Sequence, residues 1–159
     1  MAIMKRKELV PYIPHDAQDI ENTRRIIQFG YPAIAPVMRD LFNLMRVQDS
    51  PAADLLAEYF GTLGKAISED VAKALAKENC WIRRRILDTI ISGWSAEDLE
   101  TLKVELCCVA TQPDAYDNDI QALLLIRRHG LAEDKWIKHW TTFKRERLES
   151  RDQFLRTLE

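Results

Sequence analysis

The amino-acid sequence predicts an all-α fold, arranged as a short irregular solenoid of about four helical hairpins. Three observations carry that reading. Apolar residues recur at every third or fourth position in nearly every segment, the spacing of one helical face, and no segment keeps the strict alternation of a half-buried strand. Ser, Asp and Pro stand where those faces begin, and Gly stands where several of them end. Taken in pairs, the helices begin near Asp16, Ser50, Asn79 and Asp117, roughly 30 to 38 residues apart, within the range of helical-hairpin repeats. Each hairpin of such a stack buries its apolar face against the next.

Pro11 and Pro14 interrupt Leu9, Val10, Tyr12 and Ile13, so the chain enters in an extended segment. Asp16 is the expected N-cap of a first helix from Ala17 to about Phe29, which buries Ile20, Ile26 and Ile27 and stops at Gly30. Pro32 is expected to open a second helix whose face is Ile34, Val37, Met38, Leu41, Phe42, Leu44 and Met45. Ser50 followed by Pro51 caps a third, with Ala52, Ala53, Leu55, Leu56, Tyr59, Phe60 and Leu63 inward and Gly61 and Gly64 at its end. Ser68 heads a capping-box-like fourth helix that buries Val71, Ala72 and Leu75. Lys77, Glu78 and Asn79 turn the chain into the next.

Residues 80 to 92 have the clearest period. At about 100° per residue, Ile82, Ile86, Leu87, Ile90 and Ile91 fall in one half of the helical wheel, and Trp81, Arg84, Arg85 and Asp88 in the other. Arg83 lands inside the apolar arc, where a charge needs a partner or an exit to water. Ser95 caps a sixth helix, with Glu97 and Asp98 in its first turn and Leu99, Leu102, Leu106, Val109 and Ala110 as its stripe. Pro113, Asp114, Asp117 and Asn118 make the longest connection. A seventh helix follows, apolar nearly all round from Ile120 to Ile126 and ended by His129 and Gly130. From about Glu133, Trp136, Ile137, Trp140, Phe143, Leu148, Phe154, Leu155 and Leu158 share one arc, interrupted by Arg147 and Arg151. Residues 132–159 therefore read as an amphipathic capping helix whose tail docks only in part or pairs with another copy.

Size and composition fit one domain over residues 1–159. The chain has 47% hydrophobic residues, enough for a core without disulfides or metals. Lys and Arg total 23 against 25 for Asp and Glu, a formal charge of −2, so the molecule as a whole offers polyanions no attraction and a nucleic acid would need a local basic patch. The start MAIMKRKELVPYIPHD lacks the apolar run of a signal peptide, and the longest apolar run, Ala122 to Ile126, is too short to span a bilayer. The expectation is a cytoplasmic protein. Cys80, Cys107 and Cys108 form an odd set and are expected to be reduced, buried thiols.

Four stretches carry a resemblance: LVPYIPHD at 9–16, LFNLMRVQDSPAADLLAEYF at 41–60, WIRRRILDTII at 81–91 and LKVELCCVATQP at 102–113. Through them, over about residues 9 to 130, the chain resembles a family of small bacterial proteins of unknown function with a HEAT-like repeat fold. The resemblance implies a HEAT-like helical stack and supplies no catalytic residues. That family usually has a tryptophan before the proline of the third helix and an acidic residue upstream; this chain has Ser50 and Val47 there.

Chemistry finds little footing. Zinc would draw on Cys80, Cys107, Cys108, His15, His129 and His139, but no C-x-x-C or H-x-x-x-H spacing occurs, and adjacent Cys107 and Cys108 point to different helix faces. No Ser, Cys or Thr sits in a nucleophile elbow, no glycine loop cradles phosphate, and His15 beside Asp16 reads as a helix entry. No enzyme and no cofactor are expected. Arg83 to Arg85, Arg127, Arg128, Lys144, Arg145 and Arg147, interleaved with Trp81, Trp94, Trp136 and Trp140, allow a nucleic-acid-binding face if they converge. The leading expectation is a protein partner, because Trp and Arg dominate binding energy at interfaces. Its candidate residues are Trp81, Arg83, Arg84, Arg85 and Asp88, and its specific form is a toxin-neutralising immunity or regulatory protein. Arg83 is expected to bond a helix C-terminal carbonyl or an acidic side chain, with an anion contact between hairpins as the alternative.

Overall fold

In a computed structural model, which describes residues 4–77 and 79–156, the chain is all-helical, with no strand among the described residues. Glu78 of the expected turn and Leu158 of the expected C-terminal arc lie outside the described residues. The chain begins with a short helix α1 (Arg6–Leu9) and a 3₁₀ turn (Val10–Tyr12), where an extended lead-in was expected. Pro11 sits within the first two positions of that turn, where its missing N–H costs no hydrogen bond.

Helix α2 (Ile20–Phe29) starts three residues later than the sequence suggests, because Asp19 and not Asp16 is its cap. One Asp19 carboxylate oxygen accepts the Asn22 N–H at 3.2 Å and the other accepts the His15 N–H at 3.0 Å. The His15 amide and then the Asn22 side chain hold the Asp19 carboxyl below its ordinary range. Asp16 instead accepts the Gln18 N–H in a turn ahead of the helix.

Pro32 does not open a helix. It follows a cis peptide bond from Tyr31, and a second proline, Pro36, lacks the N–H that a continuous helix from Pro32 would need. The chain passes through a 3₁₀ turn (Ala35–Val37) before α3 (Met38–Leu44). Helix α4 (Pro51–Gly61) begins as expected, with Ser50 Oγ accepting the Ala53 N–H at 3.2 Å, and it also ends where Gly61 predicts. Gly61 is needed for another reason. A Cβ there would come within 3.3 Å of the Thr89 carbonyl, so the missing side chain lets α4 lie directly on the backbone of the central helix.

A 3₁₀ turn (Gly64–Ile67) runs straight into α5 (Ser68–Leu75), which leaves Ser68 inside the helix without a capping role. The central helix is α6 (Cys80–Arg85), continued by one π turn (Ile86–Ile90) that closes with the Ile91 N–H on the Ile86 carbonyl at 2.9 Å. Its apolar arc is as read: Ile82, Ile86, Leu87, Ile90 and Ile91 are all buried. The expected sixth helix is two, α7 (Ala96–Glu100) and α8 (Lys103–Thr111). Ser95 caps the first as expected, but the Thr101 hydroxyl takes the Asp98 carbonyl at 2.6 Å, a local bond that competes with helix continuation.

Helix α9 (Asn118–His129) stops at Gly130, whose positive φ of 64° supplies the left-handed C-cap. Helix α10 (Asp134–Arg156) is one continuous element of 23 residues. The packing follows the chain: α2 lies on α4, α4 on the π turn, α5 on α6 and α8, α8 on α9, and α9 on α10. A single apolar core runs from Leu9 to Ile137. No helix among the described residues is long and apolar enough to cross a membrane.

The last helix is held differently from the rest. Among the described residues of its expected arc only Ile137 is buried, while Phe143, Phe154 and Leu155 are exposed. The anchor is charge. Lys144, almost fully buried, donates to the carboxylate of Asp119, which is 0% exposed, in the first turn of α9; Arg147 reaches the same carboxylate at 3.0 Å. Arg147 and Arg151 also lie 3.4 and 3.7 Å from Asp117. The basic residues that seemed to interrupt the tail are what fastens it. Removing one member of a buried pair strands the other without water. Asp119→Ala is therefore expected to cost about 3–5 kcal/mol in urea unfolding. Lys144→Met, which leaves Asp119 with Arg147, is expected to lose less.

Candidate functional site

The candidate residues read from sequence lie on and beside α6, and its arginines do not converge. Each is committed to a different neighbour. Arg83 donates from Nε to the Leu75 carbonyl at the C-terminus of α5, at 3.0 Å, the helix-end bond expected of it. Arg84 pairs with Asp88 one turn on and donates from Nη1 to the Tyr116 carbonyl at 3.2 Å. Arg85 pairs with Asp54 of α4 and donates to the carbonyls of Val47 and Gln48 at 3.0 and 3.1 Å. Arg85 was expected on the outer half of the helix. The α3–α4 connection folds over it and leaves its side chain only 13% exposed.

Trp81 packs against Tyr116. Its ring lies 4.4 Å from that of Tyr116, tilted by 49°. The turn that carries Tyr116 is built from acidic residues: Asp114 accepts the N–H groups of Tyr116 and Asn118 at 2.9 and 3.2 Å. Asn118 donates to the Cys80 carbonyl at 2.9 Å, tying this turn to the first residue of α6. Trp81 and Tyr116 are thus a half-buried aromatic pair on a hydrogen-bonded turn, edged by the partly exposed Arg84 and Asp88. Tyr116, Asp114 and Asn118 were not among the candidates read from sequence. Only the D-A-Y-D-N-D run hinted at them, as turn-forming residues.

Arg83 also lines a groove of about 270 Å³ with Leu75, Val104, Glu105, Cys108 and Gln112. Glu105 on its wall opposes anion binding, so the groove gives the alternative role of Arg83 little support.

Among the described residues no group of three or more His, Cys, Asp and Glu side chains gathers closely enough to hold a metal ion. All three cysteines are free, and they are not uniformly buried as expected: Cys80 and Cys107 are half-buried and Cys108 is exposed. Burial, then the neighbouring Cys108, pushes the Cys107 thiol above its ordinary range.

Compared with protein-family models, with curated proteins and with solved structures, the chain has no match in any of the three.

Two outcomes test this geometry. Arg83→Ala is expected to lower stability by about 1.5–3 kcal/mol, the worth of a hydrogen bond from a charged group, in chemical denaturation. A neutral result would free Arg83 from its structural role. In peptide mapping after brief iodoacetamide treatment at neutral pH, Cys108 is expected to label first. Cys107 is expected to label more slowly, because the thiolate is the nucleophile and burial disfavours it.

Proposed function

We propose that this chain is a non-catalytic protein-binding module of HEAT-like type that works in the cytoplasm and docks its partner on the Trp81–Tyr116 face. The observation that carries the reading is that pair at 4.4 Å, immobilised by Arg84 and Asn118 and flanked by charge. Aromatic side chains with arginine beside them are the residue types that dominate interface energies, and a face already fixed in place loses little entropy on binding. Arg84 and Asp88, each 37% exposed, form the polar edge, and Asp54, 64% exposed, adds a second acidic group near Arg85. Arg83 and Arg85 act behind the face, as supports.

The order of packing along the chain supports the HEAT-like description, as does the resemblance in residues 9 to 130. An immunity or regulatory protein is the specific version we favour, on the ground of size and helical architecture. A nucleic-acid role draws little support, since Arg83, Arg84 and Arg85 reach three separate elements and cannot track one phosphate backbone.

The test is capture from nuclease-treated lysate of the host with the tagged protein. One defined protein is expected to be retained, and Trp81→Ala is expected to weaken its binding by about 2 kcal/mol, roughly thirtyfold. Retention of nucleic acid alone, lost as salt is raised, would replace the protein-binding reading.

A further inference from the structure

We propose that the groove between α9 and α10 is a homodimer interface, occupied by α10 of a second copy of this chain lying antiparallel across it. The groove holds about 350 Å³. Leu124 and Leu148 are among its apolar walls, and Arg127, Arg145, Glu149 and Asp152 are on its rim. Leu124 is 49% exposed. Among the described residues, none of the four rim charges makes an intramolecular ion pair, whereas Lys144, Arg147 and Arg151 beside them are all paired. Two cations and two anions left without partners in one apolar groove suit an occupant of equally mixed charge. A polyanion would meet Glu149 and Asp152.

This chain itself supplies that occupant. Thr141, Arg145, Leu148, Asp152 and Leu155 follow one another at intervals of four and three along α10, the spacing of a seam between paired helices. A twofold axis at Leu148 sets Leu148 against the partner's Leu148, Arg145 against the partner's Asp152 and Thr141 against the partner's Leu155. Both ion pairs form by symmetry, as an isologous contact requires. A parallel arrangement would set Arg145 on Arg145 and Asp152 on Asp152, so the charge order selects the antiparallel one. Leu155, 52% exposed, and Leu124 would be covered at once, and α9 and α10 of both copies would make a four-helix bundle. The second half of α10 gains most, since every described residue from Arg151 onward is exposed in the single chain. No residue of this seam belongs to the Trp81–Tyr116 face, so the dimer stands or falls independently of the proposed function.

Sedimentation equilibrium over a wide concentration range tests it. The wild-type protein is expected to dimerise. Arg145→Asp and Asp152→Arg, each placing like charges together twice, are expected to raise the dimer Kd about tenfold or more. Mixed in equal amounts, those two variants are expected to form a heterodimer, because both ion pairs then reappear, one as in the wild type and one with its signs exchanged. Circular dichroism checks that both remain helical. If either does not, Leu124→Glu, at an exposed position on α9, must weaken the dimer by itself. A wild-type protein that stays monomeric at the highest concentration reached would overturn the proposal. So would a dimer that ignores the single reversals, or a mixture that fails to associate.

Discussion

The buried ion pair between Asp119 and Lys144 is the constraint on which the C-terminal third of this protein depends. Among the described residues of helix α10, Ile137 is the one buried apolar side chain, with Trp136 and Trp140 packed partly buried against the core. Its position is set by charge. Asp119 lies in the first turn of α9, where negative charge also suits the helix dipole, and it is closed off from water by Lys144 and Arg147. Lys144 further lies 5.7 Å from the Trp140 ring centre, a cation–π contact on its own helix. Such a pair adds little net stability over an apolar contact, but it penalises every other register of the helix, since a shift leaves buried charge unpaired.

The same turn connects the two faces of interest. Residues 114 to 119 use their side chains in three directions: Asp114 inward on its own turn, Asn118 onto the Cys80 carbonyl of α6, and Asp117 and Asp119 onto α10. One short acidic segment therefore fixes Tyr116 against Trp81 and also fixes the line of α10. Asp117, in the middle of this segment, adopts a left-handed backbone, φ 54°. The positive charges of α6 are used in the complementary way, each satisfying carbonyls or a carboxylate of a neighbouring element. In a chain with nearly balanced charge, arginines act as short-range fasteners between helices, and their field as a group counts for little.

Much of the fold was legible because it is written in local contacts. The Ser50–Pro51 start, the Ser95 cap, the Gly130 stop and the buried arc of residues 82 to 91 each depend on residues within one or two turns of each other. The boundaries that moved did so where two local signals competed. Asp19 won over Asp16 because three donors reach it; the helix expected from Pro32 failed because of Pro36; and one expected helix became α7 and α8 at Thr101. Of the candidate site, Trp81 and the arginine run were legible as unusual residues. Their partners were not, because Tyr116, Asp54 and Leu75 approach them only through packing.

By itself the sequence determined that the chain is helical, where most helices begin and end, and which face of the central helix is buried. Periodicity and capping are set by neighbours along the chain, so they survive without knowledge of the fold. Only the tertiary structure decided what the charges do. It turned Arg147 and Arg151 from interruptions into anchors, buried Lys144, divided Arg83, Arg84 and Arg85 among three elements, and left Arg127, Arg145, Glu149 and Asp152 together along one groove. A charge takes its role from the group opposite and from how much water lies between them, and both are fixed by segments 8 to 38 residues away along the chain.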